Sequence, residues 1–229
     1  MTAVPAGRSG EWRRQRLADS RLYVVTGARE KFGDLEGFLD AILGAGVDIV
    51  QLREKEWEAG DLIRWGEVFV DAADRHGALF VINDRPDVAL AVEADGVHLG
   101  QNDLPAEVAR KVVGPDSLIG LSTHDRDQLQ SAPGDADYVC VGPIHPTPTK
   151  PGRIATGLGL VEEAARGERR PWFAIGGIDD RTLPSVVRAG ATRIVVVRAV
   201  TDADNPGEAV ARLLDGLASN APVPDQASD

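Results

Sequence analysis

The sequence predicts an α/β protein, a single (β/α)8 TIM barrel. Eight short apolar runs recur along the chain from Leu22 onward, each followed by an amphipathic or polar segment. The runs are continuous rather than alternating, as strands of a parallel sheet are when both faces are buried. The 229 residues, 43% of them hydrophobic, suffice for one large core. A doubly wound open sheet shares the alternation, and both architectures place ligands at the carboxyl ends of the strands.

The elements follow in order. Leu22–Thr26 reads as the first strand, and Leu35, Phe38, Leu39, Ile42 and Leu43 form a helical stripe behind it. Ile49–Leu52 is a strand, followed by a stripe of Leu62, Trp65, Phe69, Val70 and Ala73. Residues 79–82 form the third strand with a short helix near 88–92, and Gly96–Leu99 the fourth. Pro105 then opens a helix with Val108, Ala109 and Val112 on one face. The fifth strand, 118–121, precedes a polar helix over 126–131. Tyr138–Val141 leads into a proline-rich loop and a helix near 160–165. Trp172–Ile175 precedes a helix carrying Leu183, Val186 and Val187 that stops at Gly190. The last strand covers 194–197, and Val210, Leu213, Leu214 and Leu217 form the last stripe. Residues 1–20 are expected to be a flexible segment, 21–217 the catalytic barrel and 218–229 a disordered tail.

Charge and composition exclude several classes. The net charge of −11 argues against nucleic acid or an anionic membrane as partner. An acidic protein that binds anions must do so through a local basic cluster. Cys140 is the single cysteine, so no intrachain disulfide forms, and its place in an apolar run marks it as core. No run approaches a membrane span and no secretory signal opens the chain, so a cytoplasmic location is expected. His76, His98, His124 and His145 are scattered without zinc spacing and read as structural or supporting residues.

Chemistry-bearing residues gather at the strand ends. Gln51, Arg53 and Lys55 share one side of an extended run, an amide, a guanidinium and an ammonium aimed together, which suits a polyphosphate. Asp84 and Asp103 end the neighbouring third and fourth strands. Each alone suits a helix start, but together with phosphate oxygens and water they would make an octahedral Mg2+ site. The loop at 141–152 holds Pro143, Pro146, Pro148 and Pro151, which stiffen the backbone carrying Thr147, Thr149 and Lys150. Gly176 and Gly177 follow the seventh strand, where backbone N–H groups can approach a phosphate, as barrels commonly arrange near their last two strands. No Ser/His/Asp set or strand-borne lysine supplies a nucleophile. Such a site suits departure of a pyrophosphate and attack by a second, phosphorylated substrate.

These motifs together resemble the thiamine-phosphate synthase family over most of the chain. They are Gln-Leu-Arg-Glu-Lys (51–55), Asn-Asp (83–84), His-Leu-Gly-Gln-Asn-Asp (98–103), Gly-Leu-Ser-Thr-His (120–124), Gly-Pro-Ile-His-Pro-Thr-Pro-Thr-Lys (142–150) and Ile-Gly-Gly-Ile (175–178). The resemblance implies a transferase that condenses a pyrimidine diphosphate with a thiazole phosphate. It places the diphosphate on Gln51, Leu52, Arg53, Glu54, Lys55, Asn83, Ser122 and Lys150, and Mg2+ on Asp84 and Asp103. It implies that Thr147, Pro148 and Thr149 contact the thiazole, whose phosphate lies on Gly177, Val197 and Arg198. Arg53, Ser122 and Lys150 would carry catalysis by electrostatic stabilisation of the departing pyrophosphate. Arg198 stands where the family commonly has serine, a change that backbone donors holding the phosphate would tolerate. A thiazole tautomerase or a phosphosugar epimerase would use the same barrel, but neither needs the combination of Arg53, Lys55, Asp84, Asp103 and Lys150.

Overall fold

In the computed structural model, which describes residues 8–147 and 154–219, every apolar run becomes a strand. They are β1 Leu22–Thr26, β2 Ile49–Leu52, β3 Leu79–Asn83, β4 Gly96–Leu99, β5 Leu118–Thr123, β6 Tyr138–Val141, β7 Trp172–Ile175 and β8 Ile194–Val196. All pair in parallel with their sequence neighbours, and β8 returns to β1 with Leu22 opposite Ile194. The sheet is a closed barrel, not an open doubly wound one. The helices are α1 Gly10–Asp19, α2 Leu35–Gly44, α3 Ala59–His76, α4 Pro86–Ala91, α5 Ala106–Val113, α6 Arg126–Gln130, α7 Gly159–Gly167, α8 Leu183–Arg188, α9 Arg198–Thr201 and α10 Pro206–Ser219. No helix among the described residues is long and apolar enough to cross a membrane.

Strand periodicity divides the core in two. Val24, Val50, Leu52, Ile82 and Val139 face outward against the helices. Tyr23, Val25, Ile49, Val81, Tyr138 and Phe173 fill the barrel interior with Leu17 of α1 beneath them. The same rhythm carries Gln51, His98 and Ser122 inward above that apolar floor, and all three are buried. Gly120 makes the crowding possible. A Cβ there would lie 2.5 Å from His98 Nδ1 and closer still to the Tyr138 ring.

The expected flexible start of the chain is instead a helix over much of its length. Ser9 caps α1, its hydroxyl accepting from Trp12 N, and Leu17 is buried. Arg16, Arg13 and Arg14 of this helix pair with Asp48 (3.1 Å), Asp95 (3.0 Å) and Asp137 (3.2 Å). Each aspartate stands just before an even-numbered strand and also accepts a backbone N–H from the preceding strand or its approach: Arg21 for Asp48, Phe80 for Asp95 and Ile119 for Asp137. Arg8 adds a second cation on Asp95, which is fully buried. The helix therefore closes the amino-terminal end of the barrel with a ring of ion pairs around the buried Leu17.

Two smaller corrections concern helices. The buried face of α5 is Ala106, Ala109 and Val113, while Val108 and Val112 are 36% and 37% exposed, because only the i, i+3, i+7 row faces the sheet. The expected alternation of eight helices omitted α1 and α9. Val197, expected in the eighth strand, lies beyond β8 as the residue capping α9, which Arg198 begins.

Candidate active site

Two connected cavities open at the carboxyl ends of the strands. The first, about 460 Å3, lies over β2 to β5. The second, about 590 Å3, lies over β6 to β8. Ser122, His124, Ile175, Val195 and Val197 line both, so the chambers share a wall.

The first chamber is the polar one. Gln51, Arg53, Lys55 and Asn83 all line it, as the extended spacing of 51, 53 and 55 requires. Arg53 is half-buried, and its guanidinium makes no hydrogen bond or ion pair among the described residues. Lys55 Nζ lies 3.2 Å from Asp84 Oδ2. Asp84 has φ +62°, a left-handed conformation in which Asp and Asn are over-represented, and its N–H donates to His98 O. Burial raises the Asp84 pKa above the ordinary carboxylate range, and the facing Asp103 carboxylate raises it further against the pull of Lys55. Asp103 is itself aimed by Gly100, whose N–H donates to Oδ2 at 2.7 Å.

The two carboxylates thus face each other, and each gains from a cation between them. Among the described residues no group of three or more His, Cys, Asp or Glu side chains is arranged to hold a metal. A hard cation here would have two protein carboxylates and would complete its shell from phosphate and water oxygens, a donor set that fits magnesium rather than zinc.

The second chamber is shaped by the turns that follow β6, β7 and β8. Ile144 N–H donates to Ile175 O and His145 N–H to Gly176 O, which prolongs the β6–β7 pairing past the strands and carries the loop over the barrel mouth. Gly177 has φ +63° and lies so close to that loop that a Cβ would meet His145 Cβ at 2.7 Å. Thr182 Oγ1 donates to Gly177 O at 2.9 Å and pins the turn. Thr147 and Val197 are half-buried in the lining, and Arg198 is exposed at the rim.

Most of the residues expected at the site are brought together. Two are not. Leu52 points outward into the helix-facing core, because it lies one residue out of phase with Gln51 and Arg53. Glu54 turns toward the loop after β1, where its carboxylate accepts from Ala28 N at 3.0 Å. Pro148, Thr149 and Lys150 lie outside the described residues. His98 and His124 enter the site in their own right. His98 Nε2 lies 3.0 Å from Ser122 Oγ, and His124 Nδ1 donates to Gly142 O. The signal for His98 was its position on the inward rhythm of β4 between Gly96 and Gly100, where a large polar side chain has no core role.

A closed eight-stranded parallel barrel with paired cavities at the carboxyl ends of its strands, one of them bearing cations and a carboxylate pair, has the architecture of a (β/α)8 barrel enzyme. Residues 22–200 match the family model described as thiamine monophosphate synthase. The chain is 55% identical over 208 residues to the thiamine-phosphate synthase of Acidothermus cellulolyticus, covering 90% of this chain and 98% of that one. It is also 55% identical over 214 residues to the thiamine-phosphate synthase of Mycobacterium bovis, covering 88% and 96%. Among solved structures, a thiamine phosphate pyrophosphorylase from Pyrococcus furiosus superposes with a TM-score of 0.79 at 29% identity, covering 90% of this chain and 98% of that one. The chain belongs to the thiamine monophosphate synthase family, a family of transferases.

Proposed function

We propose that this protein condenses 4-amino-2-methyl-5-(diphosphooxymethyl)pyrimidine with a thiazole monophosphate, giving thiamin phosphate and pyrophosphate in the cytoplasm. The shared wall carries this reading: the chamber holding Arg53, Lys55 and the Asp84–Asp103 pair meets the second chamber at Ser122 and His124, where two bound substrates would present their reacting atoms to each other.

The diphosphate lies in the first chamber against Arg53 and Lys55, with Gln51 and Asn83 fixing the pyrimidine end. Asp84 and Asp103 would hold Mg2+, which would neutralise charge on the leaving pyrophosphate. Arg53 contributes the same stabilisation from the protein side, where a guanidinium without a competing carboxylate is free to follow the anion. The C–O bond of the pyrimidinylmethyl diphosphate breaks with its electron pair leaving on pyrophosphate, and the thiazole nitrogen lone pair forms the new C–N bond. Ile175, Val195 and Val197 line the meeting point with apolar surface and keep water from capturing the pyrimidinylmethyl cation. Gly177 and the turn at Val197 and Arg198 receive the thiazole phosphate through backbone N–H groups, with Thr147 beside the ring. The family resemblance assigns Lys150, outside the described residues, to the diphosphate as well.

Incubation with both substrates and Mg2+ should release one pyrophosphate per thiamin phosphate formed. A folded protein that yields neither product overturns the assignment.

A further inference from the structure

Beneath the diphosphate chamber a chain of polar side chains crosses the barrel interior. Gln51 Nε2 donates to the Tyr23 hydroxyl. The Tyr23 hydroxyl lies 3.2 Å from that of Tyr138, which lies 3.3 Å from His98 Nδ1. His98 Nε2 in turn lies 3.0 Å from Ser122 Oγ. Gln51, Tyr23, His98 and Ser122 of this polar chain line the chamber, and Tyr138 lies beneath them in the interior core with Cys140 and Phe173. Apolar barrel cores are ordinarily filled by branched aliphatic residues, so two tyrosines and a histidine here call for a reason.

The donors can be followed in order. Either hydroxyl could donate in the Tyr23–Tyr138 bond; with Gln51 already donating to Tyr23, the order that gives the Tyr23 proton an acceptor within the chain sends it to the Tyr138 oxygen. Tyr138 then gives its proton to His98 Nδ1, which must be the unprotonated nitrogen of a neutral ring. His98 carries its proton on Nε2 and donates it to Ser122 Oγ. Ser122 is left with its own O–H directed into the chamber. Burial raises both phenol pKa values well above the ordinary range, which keeps the tyrosines protonated as donors.

We infer that His98, Tyr138 and Tyr23 are positioning residues that lock Ser122 as a hydrogen-bond donor toward the pyrimidine diphosphate, with the His98 tautomer as the locking element. This inference rests on the proposed function for its substrate, but the arrangement itself does not. The lock favours a substrate group that accepts at Ser122, such as a ring nitrogen or a phosphate oxygen, over one that can only donate. It also couples the two ends of the chamber, because Gln51 orients the chain that sets Ser122.

The test is a double-mutant cycle with a spectroscopic arm. Tyr138→Phe keeps the ring and removes the donor to His98. It should lower kcat/KM for the pyrimidine diphosphate about tenfold, the scale of one hydrogen bond. In a Ser122→Ala background the same change should cost less than about twofold, because the chain acts only through Ser122. Equal losses in both backgrounds, or no loss in the first, overturn the inference. Tyr23→Phe repeats the cycle should Tyr138→Phe fold poorly. Independently of turnover, 15N-histidine spectra, with His98 assigned by His98→Gln, should show His98 with its proton on Nε2 in the unmodified protein and a mixture of tautomers in Tyr138→Phe. An Nδ1–H tautomer in the unmodified protein also overturns it. If the unmodified protein makes no thiamin phosphate, the proposed function fails while the tautomer measurement still decides the lock.

Discussion

Lys55 and Asp84 stand 3.2 Å apart across the ends of β2 and β3, yet the carboxylate still holds its proton to higher pH than an ordinary aspartate. Burial and the facing Asp103 outweigh the ammonium. The ionised pair is thus a standing cost to the fold, set against its use in catalysis.

Asp84→Asn should therefore stabilise the metal-free protein while removing activity. A carboxyl whose folded pKa is raised contributes stability below its unfolded pKa, and that contribution is lost as pH rises through the raised value. Where Asp84 is ionised its charge opposes folding, and Asn, tolerated at φ +62°, removes it without backbone strain. Thermal melts at pH 7 should show a higher Tm, and Mg2+-dependent turnover should fall by about 100-fold or more. An unchanged Mg2+ requirement would remove Asp84 from the metal site.

Leu17→Ala should test the helix that closes the barrel floor. The side chain is 2% exposed and packs beneath Tyr23 and Phe173. Its truncation should cost about 2–5 kcal/mol in urea denaturation, with turnover per folded molecule preserved. Truncation without loss of stability would show that the ion pairs alone hold α1.

Gly120→Ala should damage stability and activity together. The added methyl group meets His98 and Tyr138, both packed and unable to retreat without disturbing Ser122. A cost of about 1–3 kcal/mol is expected, with a loss in kcat/KM measured under conditions where the variant is fully folded.

Arg198→Ser should leave kcat nearly unchanged. The guanidinium is exposed at the rim and makes no ion pair among the described residues, so its attraction for a phosphate is screened. KM for the thiazole phosphate should rise by less than about fivefold, and the rise should shrink with added salt. A large fall in kcat would place the arginine in the reaction itself.

The strands were legible because each is a continuous apolar run, and closure of the sheet made most of the strand-end polar residues converge as their spacing required. Leu52 and Glu54 show where a contiguous motif misleads: strand geometry divides neighbours between two faces, and only Gln51, Arg53 and Lys55 keep the inward phase. Helix α1 was illegible for a different reason. Its sequence is rich in arginine and poor in apolar residues, and what buries it is a set of aspartates up to 123 positions away. The polar chain from Gln51 to Ser122 was hidden likewise, since its tyrosines read as ordinary core in strands that alternate invisibly when both faces are apolar.

The barrel has one plugged end, with Leu17 beneath the interior, and both chambers open at the other. It is a cul-de-sac. On the proposed function two substrates would arrive and two products depart by one doorway, and a product joining the two rings would lie across the wall common to both chambers. Until it leaves, neither newcomer can take its seat, so thiamin phosphate should compete with both substrates at once.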